Sequence, residues 1–232
     1  MGFKIFDLQR FLAASPLFSG LSPEELSRIS SSCKLVNCAK GEMIFSVGEA
    51  CEAFHIVISG QVKLFVASSA GQEKVIEIIS PGQSFAEALV FLNKPYILSA
   101  QALTDTVLVN VSKIGVVSEI EQDPHMALHM LAGISRRLHG LIQDVEAYAL
   151  RNGMQRLIGY LLRDVAIDSA GASNAVTVTL PASKATIASR LSLTPEYFSR
   201  VLHELEAQRL ITIERRDIRI PDVQKLQGYG TR

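Results

Sequence analysis

Leu193-Thr194-Pro195-Glu196-Tyr197-Phe198-Ser199-Arg200-Val201-Leu202-His203-Glu204-Leu205 reads as one complete helix with its start signal attached. Thr194 supplies a hydroxyl N-cap, and Pro195 takes the first helical position, where its missing N–H is not needed. Glu196 puts a carboxylate in the first turn. Phe198, Val201, Leu202 and Leu205 recur at helical spacing on one face. Glu196, Ser199 and Arg200, with His203 a turn further on, lie on the opposite face.

The flanking sequence extends this helix into a motif. Upstream, Ser183 N-caps a helix running to about Arg190, with Ile187, Ala188 and Leu191 on its buried side. Leu191-Ser192-Leu193 is a tight turn, and Val176–Leu180 is a short strand before it. Downstream, Leu210–Ile213, the polar turn Glu214-Arg215-Arg216-Asp217 and Ile218–Ile220 form a hairpin. Two short helices joined by a tight turn and followed by a hairpin make a winged helix-turn-helix. A lone surface arginine is ordinarily just solvated, but this ordered set specifies a nucleic-acid reader. In a major groove, Arg200 can pair bidentately with guanine, Glu196 can accept from the cytosine amino group, and Ser199 can meet donors or acceptors. Ser183 and Thr194, at helix N-termini, suit phosphate contacts, and Tyr197 is grouped with them. Arg215 and Arg216 at the wing tip add sequence-independent attraction to the backbone.

Charge supports that assignment. The 232-residue chain is formally neutral, yet residues 151–232 carry twelve Lys+Arg against eight Asp+Glu, and residues 1–150 carry eleven against fifteen. The C-terminal part is the one suited to a polyanion. No apolar run is long enough to span a bilayer. Met1–Phe18 is interrupted by Lys4, Asp7 and Arg10, so it reads as an amphipathic helix and not a secretory signal. The expectation is a cytoplasmic protein with no membrane partner. Three cysteines (Cys33, Cys38 and Cys51) do not suit a disulfide scaffold, and Cys33 and Cys38 read as half-buried strand residues.

Residues 34–111 consist of short Val-, Ile- and Phe-rich runs, among them Met43–Phe45, Phe54–Ser59, Gln61–Ala67, Lys74–Ile79, Ile97–Leu103 and Thr106–Val111, with recurring glycines between them. Such spacing predicts a small antiparallel roll or sandwich. The period changes after Pro124. Ala127, Leu131, Ile134, Leu138, Leu141, Val145 and Tyr148 alternate steps of four and three, a heptad seam best explained by a second copy of the same helix. A new helix is expected from Met154 to about Ile167, followed by a loop at Ser169–Asn174. The expected class is α+β. It divides into a sensor domain over 1–115, a dimerisation helix over 116–152 and a winged helix-turn-helix over 153–232, hinged at Asn152-Gly153.

Leu180–Pro221, above all Leu193–Leu205, resembles the DNA-binding domain of the Crp/Fnr regulators. Lys40-Gly41-Glu42, Ile44-Phe45, Gly48-Glu49 and Ile58-Ser59-Gly60-Gln61-Val62 resemble their cyclic-nucleotide-binding β-roll. The resemblance implies a homodimer on a palindromic DNA site, RNA polymerase as a partner, and no enzymatic activity. Glu196-x-x-Ser199-Arg200 matches the Fnr-type reading triplet and implies TTGAT-like half-sites. Pro195 stands where a Crp-type motif has a second arginine.

The same resemblance places an effector pocket at Ala86, Glu87, Leu98 and Ser99. Glu87 suits the ribose of a cyclic nucleotide, but Leu98 stands where the family's phosphate arginine is expected. A buried phosphate without a cation is costly, so cyclic nucleotide is not the expected effector. An Fnr-type iron–sulfur cluster needs four thiolates and is not expected either. Gly71-Gln72-Glu73-Lys74, Phe85-Ala86-Glu87-Ala88, Phe91 and Leu193–Leu205 are similar to the dissimilative nitrate respiration regulators. That similarity implies nitric-oxide sensing through non-covalent haem between roll and dimer helix, with His55, His125, His129 and His139 as candidate axial ligands. A cyclic nucleotide or another small ligand, or a thiol redox switch, on the same scaffold are the alternatives.

Overall fold

The computed structural model describes residues 7–18, 20–163, 165 and 175–230. The expected loop at Ser169–Asn174 and the end of the helix assigned to Met154–Ile167 lie outside them. The chain opens with two helices, α1 (Leu8–Ala14) and α2 (Pro23–Ser31). The second was missed in the sequence, although its signal is present. Ser22 Oγ accepts from Glu25 N at 3.3 Å while Glu25 carboxylate accepts from Ser22 N at 2.5 Å, a capping box with Pro23 at the first position.

Eight strands follow: β1 (Cys33–Cys38), β2 (Met43–Phe45), β3 (Ala53–Ser59), β4 (Val62–Ala67), β5 (Glu73–Ile79), β6 (Ser84–Phe85), β7 (Ser99–Ala102) and β8 (Thr106–Ser112). They form two antiparallel sheets in the orders β1-β8-β3-β6 and β2-β7-β4-β5, the roll that the strand spacing predicted. The β3–β8 register shifts between Val57 and Ser59. Gly60 follows with φ of 82°, and a Cβ there would overlap Asp105 O and Thr106, so only glycine closes this turn. A short helix, α3 (Glu87–Leu92), interrupts the roll between β6 and β7. One apolar cluster, including Val57, Val62, Leu64, Ile79, Phe85, Ala100 and Leu108, fills the roll. A second joins Phe54, Ile56, Val109 and Val111 to Leu12, Phe18, Leu26 and Ile29 of the N-terminal segment and to Met126 and Met130.

The stretch 116–152 is not a single helix. Two are present, α4 (Lys113–Gln122) and α5 (His125–Leu150), because Asp123 turns extended before Pro124, which restricts the residue ahead of it. Asp123 Oδ1 then accepts from His125 N at 2.9 Å. Along α5 the heptad seam is largely uncovered: Leu131, Leu138, Leu141 and Val145 are exposed, whereas Ala127 and Ile134 are half-buried. Leu128 and Ile142 are exposed as well, so the apolar stripe is wider than the two-position seam. The side chain of Tyr148 is outside the described residues.

The remainder comprises α6 (Gly153–Leu162), β9 (Val176–Thr179), α7 (Lys184–Arg190), α8 (Pro195–Ala207), β10 (Thr212–Glu214), β11 (Asp217–Ile220) and α9 (Val223–Gly230). Strand order is β10-β11-β9. The terminal helix α9, unexpected from the sequence, packs on α6. A Cβ on Gly230 would come within 3.3 Å of Ile158. The boundary between two compact units falls between Leu141 and Ile142, inside α5. Asn152-Gly153, where the sequence places the hinge, starts α6 with a cap: Asn152 Oδ1 accepts from Gln155 N at 2.9 Å, and Gln155 Oε1 accepts from Asn152 N at 3.0 Å.

Candidate DNA-reading surface and effector pocket

The start of α8 is built as its sequence dictates. Thr194 Oγ1 accepts from Tyr197 N at 3.2 Å, with Pro195 at the first helical position. Phe198, Val201, Leu202 and Leu205 are buried, and this apolar face orients the helix. Glu196 and Arg200 are thereby exposed and Ser199 half-exposed on its outer side. The structure brings the three predicted base-reading residues together within one and a half turns. Arg200 sits over the Tyr197 ring, its guanidinium carbon 4.8 Å from the centroid. A groove of about 640 Å³ opens here, lined among others by Gly153, Arg156, Thr194, Glu196, Tyr197 and Arg200.

Ser183 caps α7, its Oγ accepting from Thr186 N at 3.1 Å. The turn between α7 and α8 passes through Ser192 with φ of 55°. Arg156 donates from Nη1 to Leu191 O at 2.7 Å, tying α6 to that turn. The sequence reading missed this residue, since a single arginine on an amphipathic helix carries no signal of a contact 35 residues away. Arg215 and Arg216 are exposed between β10 and β11, and Arg215 adopts φ of 59°. Arg216 O accepts from Leu180 N at 2.8 Å, which fixes the wing against the strand ahead of α7. Ser183, Thr194, Tyr197 and the two wing arginines thus all belong to the C-terminal unit, as do the reading residues.

The candidate effector residues are in a different state. Ala86 takes φ of 68° ahead of α3, and Glu87 in the first turn of α3 is buried. Leu98 is half-buried and packs on the core of the roll. Ser99 Oγ accepts from Val47 N at 3.1 Å. A buried cation, Lys63, went unnoticed in the sequence. It lies 4.3 Å from the Phe65 ring centroid on β4.

His55, one of the four ligand candidates, is buried in the roll. Its Nδ1 lies 2.6 Å from Asn110 Oδ1 and its Nε2 3.3 Å from the Tyr96 hydroxyl, while Phe85 and Phe45 stack on the ring at 4.9 and 5.4 Å. The Nδ1 proton goes to Asn110 Oδ1, and burial pushes the imidazole down to about 4. His125 and His139 are exposed on α5, and His129 is half-buried, its Cε1 2.9 Å from where a Gly20 Cβ would stand. All three thiols are free. Burial raises each of them, Cys33 to about 12, which disfavours the thiolate that redox exchange needs. Among the described residues no cluster of three or more His, Cys, Asp or Glu could hold a metal ion, and no helix is long and apolar enough to cross a membrane.

Comparison with known proteins agrees with this arrangement. Residues 35–123 match the cyclic nucleotide-binding domain family, and residues 155–229 match the Crp-like helix-turn-helix domain family. The chain is 35% identical to the structure of DNR from Pseudomonas aeruginosa, over 99% of this chain and 100% of that one, with a TM-score of 0.54. It is 31% identical to a putative cyclic nucleotide binding protein from Ruegeria pomeroyi, over 97% of each chain, with a TM-score of 0.68. A CRP-like cAMP-activated global transcriptional regulator of Mycobacterium tuberculosis is 23% identical over 94% of this chain and 98% of its own length. With a cyclic-nucleotide-binding-type roll at one end and a Crp-like helix-turn-helix at the other, the chain belongs to the Crp/Fnr family of DNA-binding transcription regulators.

Proposed function

We propose that this regulator is a cytoplasmic homodimer that reads palindromic DNA with TTGAT-type half-sites about one helical turn apart, and that it acts on RNA polymerase. The observation that carries the reading is the outer face of α8, where Glu196, Ser199 and Arg200 stand together beside a capped helix N-terminus. The uncovered stripe of Leu131, Leu138, Leu141 and Val145 on α5 supports the dimer, since a second copy buries it at heptad spacing. The test is affinity for a TTGAT palindrome against scrambled duplex across a salt series. A preference that survives at each salt concentration is expected, and equal affinities overturn the reading. Arg200→Ala is expected to cost about 1–3 kcal/mol at one base position. Equal weakening on every sequence would make it a phosphate contact instead.

An effector held by the roll gates this binding. Cyclic nucleotide is disfavoured by Leu98, and a thiol switch by the raised cysteines. Haem is the effector that the family likeness suggests. His129 is the candidate ligand that fits it best, lying against Gly20 and flanked along α5 by Met126 and Met130, both buried in the apolar cluster with Leu12, Phe18 and Ile29. Those side chains fill the layer, so they must part to admit the group. When bound, haem would supply an iron site for a diatomic gas. The test is the visible spectrum of protein reconstituted with haem, with and without nitric oxide. A Soret band lost in His129→Ala is expected, and no band in the unaltered protein removes haem.

A further inference from the structure

Tyr197 was grouped with the phosphate contacts, a role in which its hydroxyl matters. Its ring is used differently. It lies on the backbone of Gly153 at the start of α6, where a Cβ would overlap Tyr197 Cε1, approach Cζ to 3.1 Å and meet Leu193 Cδ2 at 2.9 Å. Only glycine lets the ring settle there. The same ring carries Arg200, one turn ahead on α8, with the guanidinium carbon 4.8 Å from the ring centroid. Both contacts lie within the C-terminal unit.

We infer that Tyr197 is a positioning residue for base reading, its ring holding Arg200 and Gly153 setting the ring. The inference rests on the reading above, that Arg200 pairs with a base. A free arginine has several rotatable bonds and loses that freedom on docking. A guanidinium resting on an aromatic ring has lost part of it already. Its N–H edge remains available for a bidentate pair, because the attraction to the ring is made through charge and the flat face. Thr194 and Pro195 fix the helix start, so the spacing from Tyr197 to Arg200 is rigid.

The experiment uses the full chain, with affinities measured on the TTGAT palindrome and on duplexes changed one base pair at a time. Arg200→Ala identifies the base pair that Arg200 reads. Tyr197→Leu is expected to reduce discrimination at that same pair by about 2- to 5-fold, the worth of an exposed cation–π contact, and to spare the other positions. Gly153→Ala displaces the ring and is expected to reproduce the effect with Tyr197 itself intact. Tyr197→Phe keeps the ring and is expected to keep discrimination. In the Arg200→Ala background, Tyr197→Leu is expected to change discrimination no further. Circular dichroism of each variant reports that the unit is folded. Equal loss on all duplexes with Tyr197→Leu, or loss with Tyr197→Phe, makes Tyr197 a phosphate contact and overturns the inference while Arg200 keeps its role. Discrimination unchanged in Arg200→Ala removes the base-reading role, and the inference falls with it.

Discussion

The outer face of α8 and the interior of the roll spend their polar groups in opposite ways. On α8 the apolar face is buried and the chemistry is turned outward: Glu196 and Arg200 are exposed, and the cap at Thr194 takes up the first-turn N–H of Tyr197. In the roll the polar groups point inward and bond to one another. His55 is held by Asn110 beside Tyr96, whose hydroxyl donates to Ala53 O at 2.9 Å. A surface that keeps its donors and acceptors for a partner announces that partner's chemistry. An interior that satisfies them internally does not, since a buried polar group needs a bond whether or not a ligand exists.

That contrast can be broken or sharpened by experiment. The largest effect is expected from the face of α8 that carries no chemistry. Phe198 is fully buried, and Phe198→Ala is expected to cost about 3–5 kcal/mol of stability, read by thermal unfolding, and to abolish DNA binding with it. Binding that survives would mean that the outer face does not depend on its buried one.

The next effect tests the interior. His55 is neutral when folded down to about pH 4, whereas the unfolded chain takes up a proton near 6.5. Between those values the unfolded state binds more protons, so stability is fully present above about 6.5 and falls as the pH drops towards 4, by about 3 kcal/mol in total. Denaturant midpoints at pH 7 and pH 4.5 are expected to show this fall in the unaltered protein and a smaller one in His55→Gln. An identical slope in both removes His55 from the account.

The smallest effect belongs to the wing. Replacing Arg215 and Arg216 together by alanine is expected to lower the slope of log affinity against log salt by about 2, with base discrimination intact. A wing variant that changes discrimination would extend the reading surface beyond α8.

How much was legible follows the range of the interactions. The caps at Ser183 and Thr194 and the tight turn at Ser192 appeared where the sequence places them, because each depends on neighbours three or four residues away, and the wing followed from a hairpin closed by its own polar turn. The box at Ser22–Glu25, with Pro23 at the first helical position, is as local and equally legible in the sequence. The break of the supposed 116–152 helix at Asp123-Pro124 was equally visible in principle. Helix α9 also carried a local signal, Asp222 Oδ1 accepting from Lys225 N at 2.9 Å, but only Val223 and Leu226 mark its buried side, and that face is defined by packing on α6.

For the reading face of α8, sequence alone determined the helix, its cap, its buried stripe and the residue types of Glu196, Ser199 and Arg200. A 3.6-residue period and a hydroxyl before a proline leave few other outcomes. Only the tertiary structure decided that Tyr197 rests on Gly153 and carries Arg200, that Arg156 ties α6 to the turn, and that His55 is walled in by Phe45, Phe85, Asn110 and Tyr96. Each of these, apart from the pairing of Tyr197 with Arg200 a turn away, joins residues that are distant in the chain. Their close approach is set by the packing of whole elements, which no local pattern encodes.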